Sequence, residues 1–208
     1  MDTEFGGEAT EVNLSAARQE LSDRGFDYLS APRQNLMLND ALQEIQDYWE
    51  WPWLRKTASG PTPLVISDLK TVLKVTDSNG NEVQGISDSD DFSPILTGTP
   101  TNWWIDDTSG TPTITAYPTG SITLTVRYER DITTLASDGD TPDMPDRYNR
   151  VWLDLAVALA YEDSDNFAAA TQIRARAKSR LDDLVARYET RDMQTAMQRG
   201  THTWSLDD

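Results

Sequence analysis

The chain of 208 residues contains no cysteine. That excludes disulfides, thiolate metal sites and cysteine nucleophiles, and it is compatible with a cytosolic origin. It contains one histidine, His202. A His-based triad or a multi-histidine metal site has too little to draw on. Positive charge is also scarce: 18 Lys and Arg stand against 35 Asp and Glu, for a net charge of −17. A protein that grips DNA by its phosphates needs basic surface, so tight DNA binding is not expected. An acidic wall that lets DNA slide past without adhering is compatible with this balance. No run approaches the ~20 apolar residues of a membrane span. The start, Met1-Asp-Thr-Glu-Phe-Gly-Gly-Glu8, lacks the basic and apolar stretches of a signal peptide. No cofactor, metal or membrane is expected among the partners.

What is present is a hydrophobic period that changes twice. After a polar, Gly-containing start, Leu14, Ala17 and Leu21 share a face of a first helix over about 14–24. Asn13 is its expected N-cap and Gly25 its left-handed C-terminal residue. Ser30 is placed to cap a second helix that opens Ala31-Pro32 and carries Leu38, Leu42, Ile45 and Trp49 before Pro52 ends it. From Thr57 to Arg130 the period becomes that of strands. Leu69–Thr76, a turn at Asp77-Ser-Asn-Gly-Asn81 and Glu82–Ile86 predict a hairpin. Trp103–Ile105, Thr113–Tyr117 and Ser121–Arg130 predict three more strands, the last with apolar residues at every second position. After an acidic connector, a third helix runs from Pro145 or Asp146 to about Glu162. It is apolar over so wide an arc that it belongs at the centre of a bundle. A fourth helix, capped by Ser164 or Asp165, runs to about Arg191 with Phe167, Ala170, Ile173, Ala177, Leu181, Leu184 and Tyr188 as its stripe.

The expected fold class is α+β: a helical bundle with an antiparallel β-sheet or sandwich inserted between helices two and three, and an extended C-terminal arm. The segments are 1–56 (first helical half), 57–135 (β insert), 136–192 (second helical half) and 193–208 (arm). Phe167, Ala170, Ile173, Ala177 and Leu181 are expected to pack subunits together. The apolar arc of the third helix exceeds what one four-helix unit should cover.

Several clusters invite a chemical reading. Trp49-Glu-Trp-Pro-Trp53 is either an aromatic platform for a sugar or partner, or a wedge packing the helix end. Trp103 and Trp104, adjacent on a strand, point to opposite faces, one toward the core. Asp138-x-Asp140-x-x-Asp143 and Asp88-x-Asp90-Asp91 look like calcium loops but lack the glycine and glutamate of the twelve-residue pattern, so solvated acidic loops are expected. Arg174, Arg176, Lys178 and Arg180 form the one basic patch. They are either a solvated face with local acid partners, or a contact for an acidic neighbouring subunit or for DNA in a lumen. Trp204 and Leu206, two residues apart in a polar tail, would share a face in an extended strand. That suits docking by strand addition.

Three stretches together resemble a known family. They are Glu44-Ile-x-x-Tyr-Trp-Glu-Trp-Pro-Trp-Leu54; Thr115-Ala-Tyr-Pro118 with Ile122-Thr-Leu-Thr-Val-Arg-Tyr128; and Pro142-Asp-Met-Pro-Asp-Arg-Tyr148 leading into Leu153-Asp-Leu-Ala-Val-Ala-Leu-Ala-Tyr161 and a long last helix. In that order, over about residues 13–190, they resemble the head-to-tail adaptor (neck or connector) proteins of tailed bacteriophages, including the kind called tail tubular protein A. None of the stretches is catalytic. The resemblance implies a structural protein of the virion neck, made in the host cytoplasm. It implies a homo-oligomeric ring, commonly of twelve subunits, beneath the portal protein and above a downstream tail or nozzle protein. DNA passes through that ring without tight binding. The helices would line a channel, the β insert would face outward or toward the tail, and the arm with Trp204 and Leu206 would reach the portal. The alternatives are a carbohydrate- or receptor-binding module of a phage tail, using the tryptophans, and a carboxylate-based glycoside hydrolase.

Overall fold

Asn13 starts the helical part as its side chain requires: Oδ1 accepts from the Ala16 amide at 2.8 Å. The computed structural model describes residues 12–86, 98–118 and 122–200, with side chains up to residue 191. Helix α1 spans Leu14–Leu21, and a wide turn, Ser22–Phe26, follows it. Gly25 there adopts φ 94°, the left-handed conformation expected of it. Helix α2 spans Ala31–Tyr48, with Pro32 in its first turn. Ser30 makes no side-chain cap bond. The helix stops at Tyr48 rather than at Pro52, because Trp49 is already extended. Helix α3 spans Asn149–Asp163 after a 3-10 turn at Asp146–Tyr148. Helix α4 spans Phe167–Gly200, 34 residues, or about 50 Å at 1.5 Å per residue. Its cap is Asn166, whose Oδ1 accepts from the Ala169 amide at 3.3 Å. Asp165, one of the two residues expected to cap it, instead has a positive φ of 58°.

The chain divides into two compact units, Met1–Trp49 with Thr134–Asp208, and Glu50–Thr133. In the first, α3 packs against α1, α2 and α4. Val151, Trp152, Leu155, Ala156, Val157, Ala158 and Ala160 are all buried, which explains the wide apolar arc. Trp152 is fully buried and donates its Nε1–H to the Leu38 carbonyl at 2.7 Å, so its one polar atom is satisfied. Asn39 ties the connector to α2: its amide donates to the Leu135 carbonyl (3.0 Å) and its Oδ1 accepts from the Leu135 N–H (2.8 Å).

The second unit has seven strands: β1 Arg55–Pro61, β2 Leu64–Val65, β3 Leu69–Thr76, β4 Gln84–Gly85, β5 Asn102–Asp106, β6 Thr113–Tyr117 and β7 Thr123–Arg130. They form two sheets, ordered β1-β7-β3 and β2-β6-β5-β4. Ile66, Leu69, Val75, Val83, Ile114, Ala116, Leu124, Val126 and Tyr128 make one core shared by both. The alternation read in β7 is realised, with Leu124, Val126 and Tyr128 buried on one face. Strand β1 escapes a hydrophobic-period reading because it is an edge strand of small and polar residues, mostly exposed. The expected hairpin after β3 forms only at its turn. Asp77 Oδ1 accepts from the Asn79 and Asn81 amides, both at 2.8 Å, and Gly80 takes φ 84°. One bridge, Thr76 to Glu82, then closes it. The chain moves on to pair as β4, parallel to β5. Gly85 allows that approach, since a Cβ there would lie 2.9 Å from the Trp103 ring.

Asp68 and Asp77 contribute to the acid response of the second unit, as does Asp106, held low by the Thr108 hydroxyl and amide. Asp68 accepts from the Tyr128 hydroxyl (2.9 Å) and pairs with Lys56 (2.9 Å). Burial alone would raise its pKa, but the Lys56 and Tyr128 bonds outweigh burial and hold it below the usual carboxylate value. Tyr128 is pushed up to about 12 by burial and by Asp68. Asp77 is held low first by the Asn81 side chain, then by the backbone amides. Asp68, Asp77 and Asp106 all bind protons more weakly folded than unfolded. Their contribution is therefore present above the unfolded pKa and is lost as pH falls through the folded one. Thermal melts across the acid range should show stability falling below about pH 4, and Asp77→Asn should flatten that limb.

The caps give a second test. Asn13→Ala should cost about 1 kcal/mol in urea unfolding. Ser30→Ala, which removes no cap bond, should cost distinctly less.

Candidate docking surfaces

A carboxylate sits in the middle of the most apolar helix. Asp154 on α3 is 2% exposed. Its Oδ1 accepts from Arg176 (2.9 Å) and from Arg24 (3.2 Å), and its Oδ2 accepts from Arg180. A buried charge is tolerable only when paired this fully. Arg24 also holds Glu20 at 2.7 Å. Burial pulls the Arg24 pKa down, but Glu20 and Asp154 outweigh it and leave it above its usual value. A second cluster joins α2, α3 and α4. Arg174 Nη1 donates to both Glu44 oxygens at 2.8 Å and Nη2 to Glu162 at 2.9 Å. Burial opposes the charge of Arg174 too, and Glu44 with Glu162 again prevails.

The basic patch read from the sequence is therefore largely committed inside the subunit. Arg174, Arg176 and Arg180 are bound to its own carboxylates, and Lys178 is exposed. The acid partners are not the neighbouring Asp182 and Asp183 but Glu44, Glu162 and Asp154. A hydrophobic period cannot reveal such partners, because they lie on other helices.

The apolar row of α4 is placed similarly. Ala170, Ala177 and Leu181 are buried within the subunit, where α4 packs on α3, so their packing is intramolecular. Ile173 is half-buried, and Phe167 is 61% exposed. Phe167 lies three residues before Ala170, about 60° short of a full turn, and so falls off the buried line. The wide apolar arc of α3 is covered by its own bundle and gives no ground for expecting a second subunit there. Helix α4 also runs past Arg191 to Gly200, so the first eight residues of the expected arm are helical. Met, Gln and Ala in that stretch favour helix without supplying an apolar stripe. Trp204 and Leu206 lie outside the described residues.

Two of the grooves on the helical unit differ sharply in their charged lining. One, of about 210 Å³, is lined by Arg147, Arg150, Val151, Arg180, Asp183, Leu184 and Arg187. The other, wider and about 670 Å³, is lined by Asp40, Gln43, Glu44, Asp47, Tyr48, Leu159 and Arg174.

The profile of the SU10 adaptor protein family matches residues 13–201, nearly the whole chain. The protein belongs to the SU10 adaptor family. That is a family of phage head-tail adaptors, structural and not enzymatic. No match was found among curated proteins.

The adaptor's other marked residues fit a structural reading. Trp51 is fully buried and stacks on Trp53 at 6.5 Å, while Trp49 tilts onto Tyr188 at 5.7 Å. A sugar platform needs open ring faces, which Trp51 does not offer. Trp103 is half-buried against the sheet core and donates to the Val83 carbonyl at 3.1 Å; Trp104 is also half-buried. Asp140 caps its own turn, accepting from the Ala136 and Ser137 amides, and Asp138 pairs with Arg18 at 2.5 Å. Asp88, Asp90 and Asp91 lie outside the described residues. No described helix is long and apolar enough to cross a membrane.

The Asp154 cluster makes a direct prediction. Asp154→Ala leaves three guanidinium groups facing a pocket that has lost its charge, and should cost about 3–5 kcal/mol in chemical denaturation. Asp163→Ala removes an exposed pair with Arg33 and should cost far less.

Proposed function

We propose that the adaptor assembles as a ring, of twelve copies by family resemblance, beneath the portal protein. There it would join the capsid to the tail and form part of the channel through which DNA leaves. The observation that carries this is the family match over residues 13–201, which spans both helical halves and the β insert. The helical unit supports it. A bundle whose interior is closed by buried ion pairs gives a stiff block, and stiff blocks suit a symmetric ring.

Passage of DNA without adhesion follows from charge. A net charge of −17 per copy, repeated around a ring, repels phosphate from the wall. The downstream partner is a tail or nozzle protein. The portal contact is assigned to the C-terminal segment, where Trp204 and Leu206 would add a strand and fill pockets on the portal. With Met193–Gly200 helical, that role contracts to residues 201–208.

The test is co-assembly with the portal protein of the same genome, read by particle mass. Attached wild-type adaptor should add a multiple of 23.3 kDa. Deleting residues 201–208 should leave a folded subunit that attaches poorly. Equal attachment would move the portal contact to the helical unit. Ala170→Glu and Ala177→Glu do not serve as ring tests, because both residues are buried within one subunit.

A further inference from the structure

The grooves on the helical unit differ in charge sign. The smaller has four guanidinium groups and one carboxylate, over an apolar floor of Val151 and Leu184. The larger has three carboxylates and one guanidinium. On a chain with twice as many acids as bases, the first is a local reversal. Arg147 is anchored there, bonded to the Tyr188 hydroxyl and lying 4.9 Å from that ring's centroid. Arg180 is held by Asp154. Arg150 and Arg187 are exposed, and among the described residues neither has an ion-pair partner.

We infer that the arginine groove binds the acidic groove of a second copy, so that copies join head to tail through opposite charges. This rests on the ring reading and names the surfaces that close it. Two observations carry it. The signs are complementary, with Arg150 and Arg187 on one groove and Asp40 and Asp47 on the other exposed. The grooves also fall on different sides of the bundle. Arg174, in the acidic groove, and Arg187, in the basic one, are separated by about 140° around α4. A head-to-tail interface needs two different patches on different sides of one subunit, as a ring does. Guanidinium forks on carboxylates supply the orientation that closure demands.

The experiment is charge reversal and rescue, with particle mass measured on the full chain incubated with the portal protein. Arg150→Glu with Arg187→Glu makes both grooves acidic. Asp40→Lys with Asp47→Lys makes both basic. All four positions are exposed, and melting curves check that each variant folds. Each variant alone should lose assembly about tenfold or more, and a mixture of the two should regain it. Raising the salt should weaken the wild-type assembly. If the wild type assembles and both variants do so equally well, or if the mixture fails as its components do, the groove pairing is overturned while the ring reading stands. If the arginine variant assembles normally but loses salt-sensitive binding to duplex DNA, the groove serves DNA and the pairing is likewise overturned. A wild type that adds no multiple copies, with or without portal, overturns both.

Discussion

The helical unit depends on pairing one buried carboxylate inside an apolar helix. Asp154 sits among Val151, Trp152, Leu155, Ala156 and Val157, all buried. Leaving it unpaired there would be severely unfavourable. The chain answers with Arg24 from the turn after α1 and with Arg176 and Arg180 from α4. Those partners stand 130, 22 and 26 residues away. One side chain therefore ties the start of the fold to its last helix through the central one. Hydrophobic packing alone is tolerant of small shifts along a helix axis. Three directed bonds to one carboxylate are not, so the ion cluster fixes the register in which α4 lies on α3.

The β unit is organised by β7 in the same sense. It pairs β1 on one side and β3 on the other, and its alternate residues enter the shared core. The strand-like period was strongest here in the sequence, because a central strand is buried on one face along its length. Strands with weaker patterns lie at the margins. β1 is an edge, and β2 and β4 are two residues each. A short strand has no room to show a period, and an edge has little reason to bury one.

Legibility in the sequence follows from how far each interaction reaches. Asn13, Gly25 and the turn at Asp77 act on neighbours, and they were readable where they stand. The α+β plan, helices with a β part between them, was also readable, since periods of 3.6 and 2 are local properties. The surfaces were less so. Ala170, Ala177 and Leu181 looked available for a neighbouring copy because a stripe does not say which helix covers it; α3 of the same subunit does. Arg174 to Arg180 looked like a patch because their acids come from Glu44, Glu162 and Asp154, on other elements. Fine structure in the tail was legible in neither direction. Absence of an apolar stripe after Tyr188 reads as loss of helix, yet helix needs only propensity once a longer one is propagating.

Charge on this adaptor is therefore not the average of its composition. Arg18, Arg24, Arg33, Arg174, Arg176 and Arg180 are each bound to a carboxylate of the same subunit. Basic residues are few, and these ion pairs engage half of those in the bundle. The effect on the surface is twofold. Excess carboxylates dominate wherever no arginine reaches. The arginines that remain outside such pairs then stand out sharply, because a cation on a strongly acidic body is the one place where another acidic body is attracted. Two copies of a chain carrying −17 repel each other at long range. Long-range repulsion is relieved where that sign is locally reversed, and the groove holding Arg150 and Arg187 is such a place.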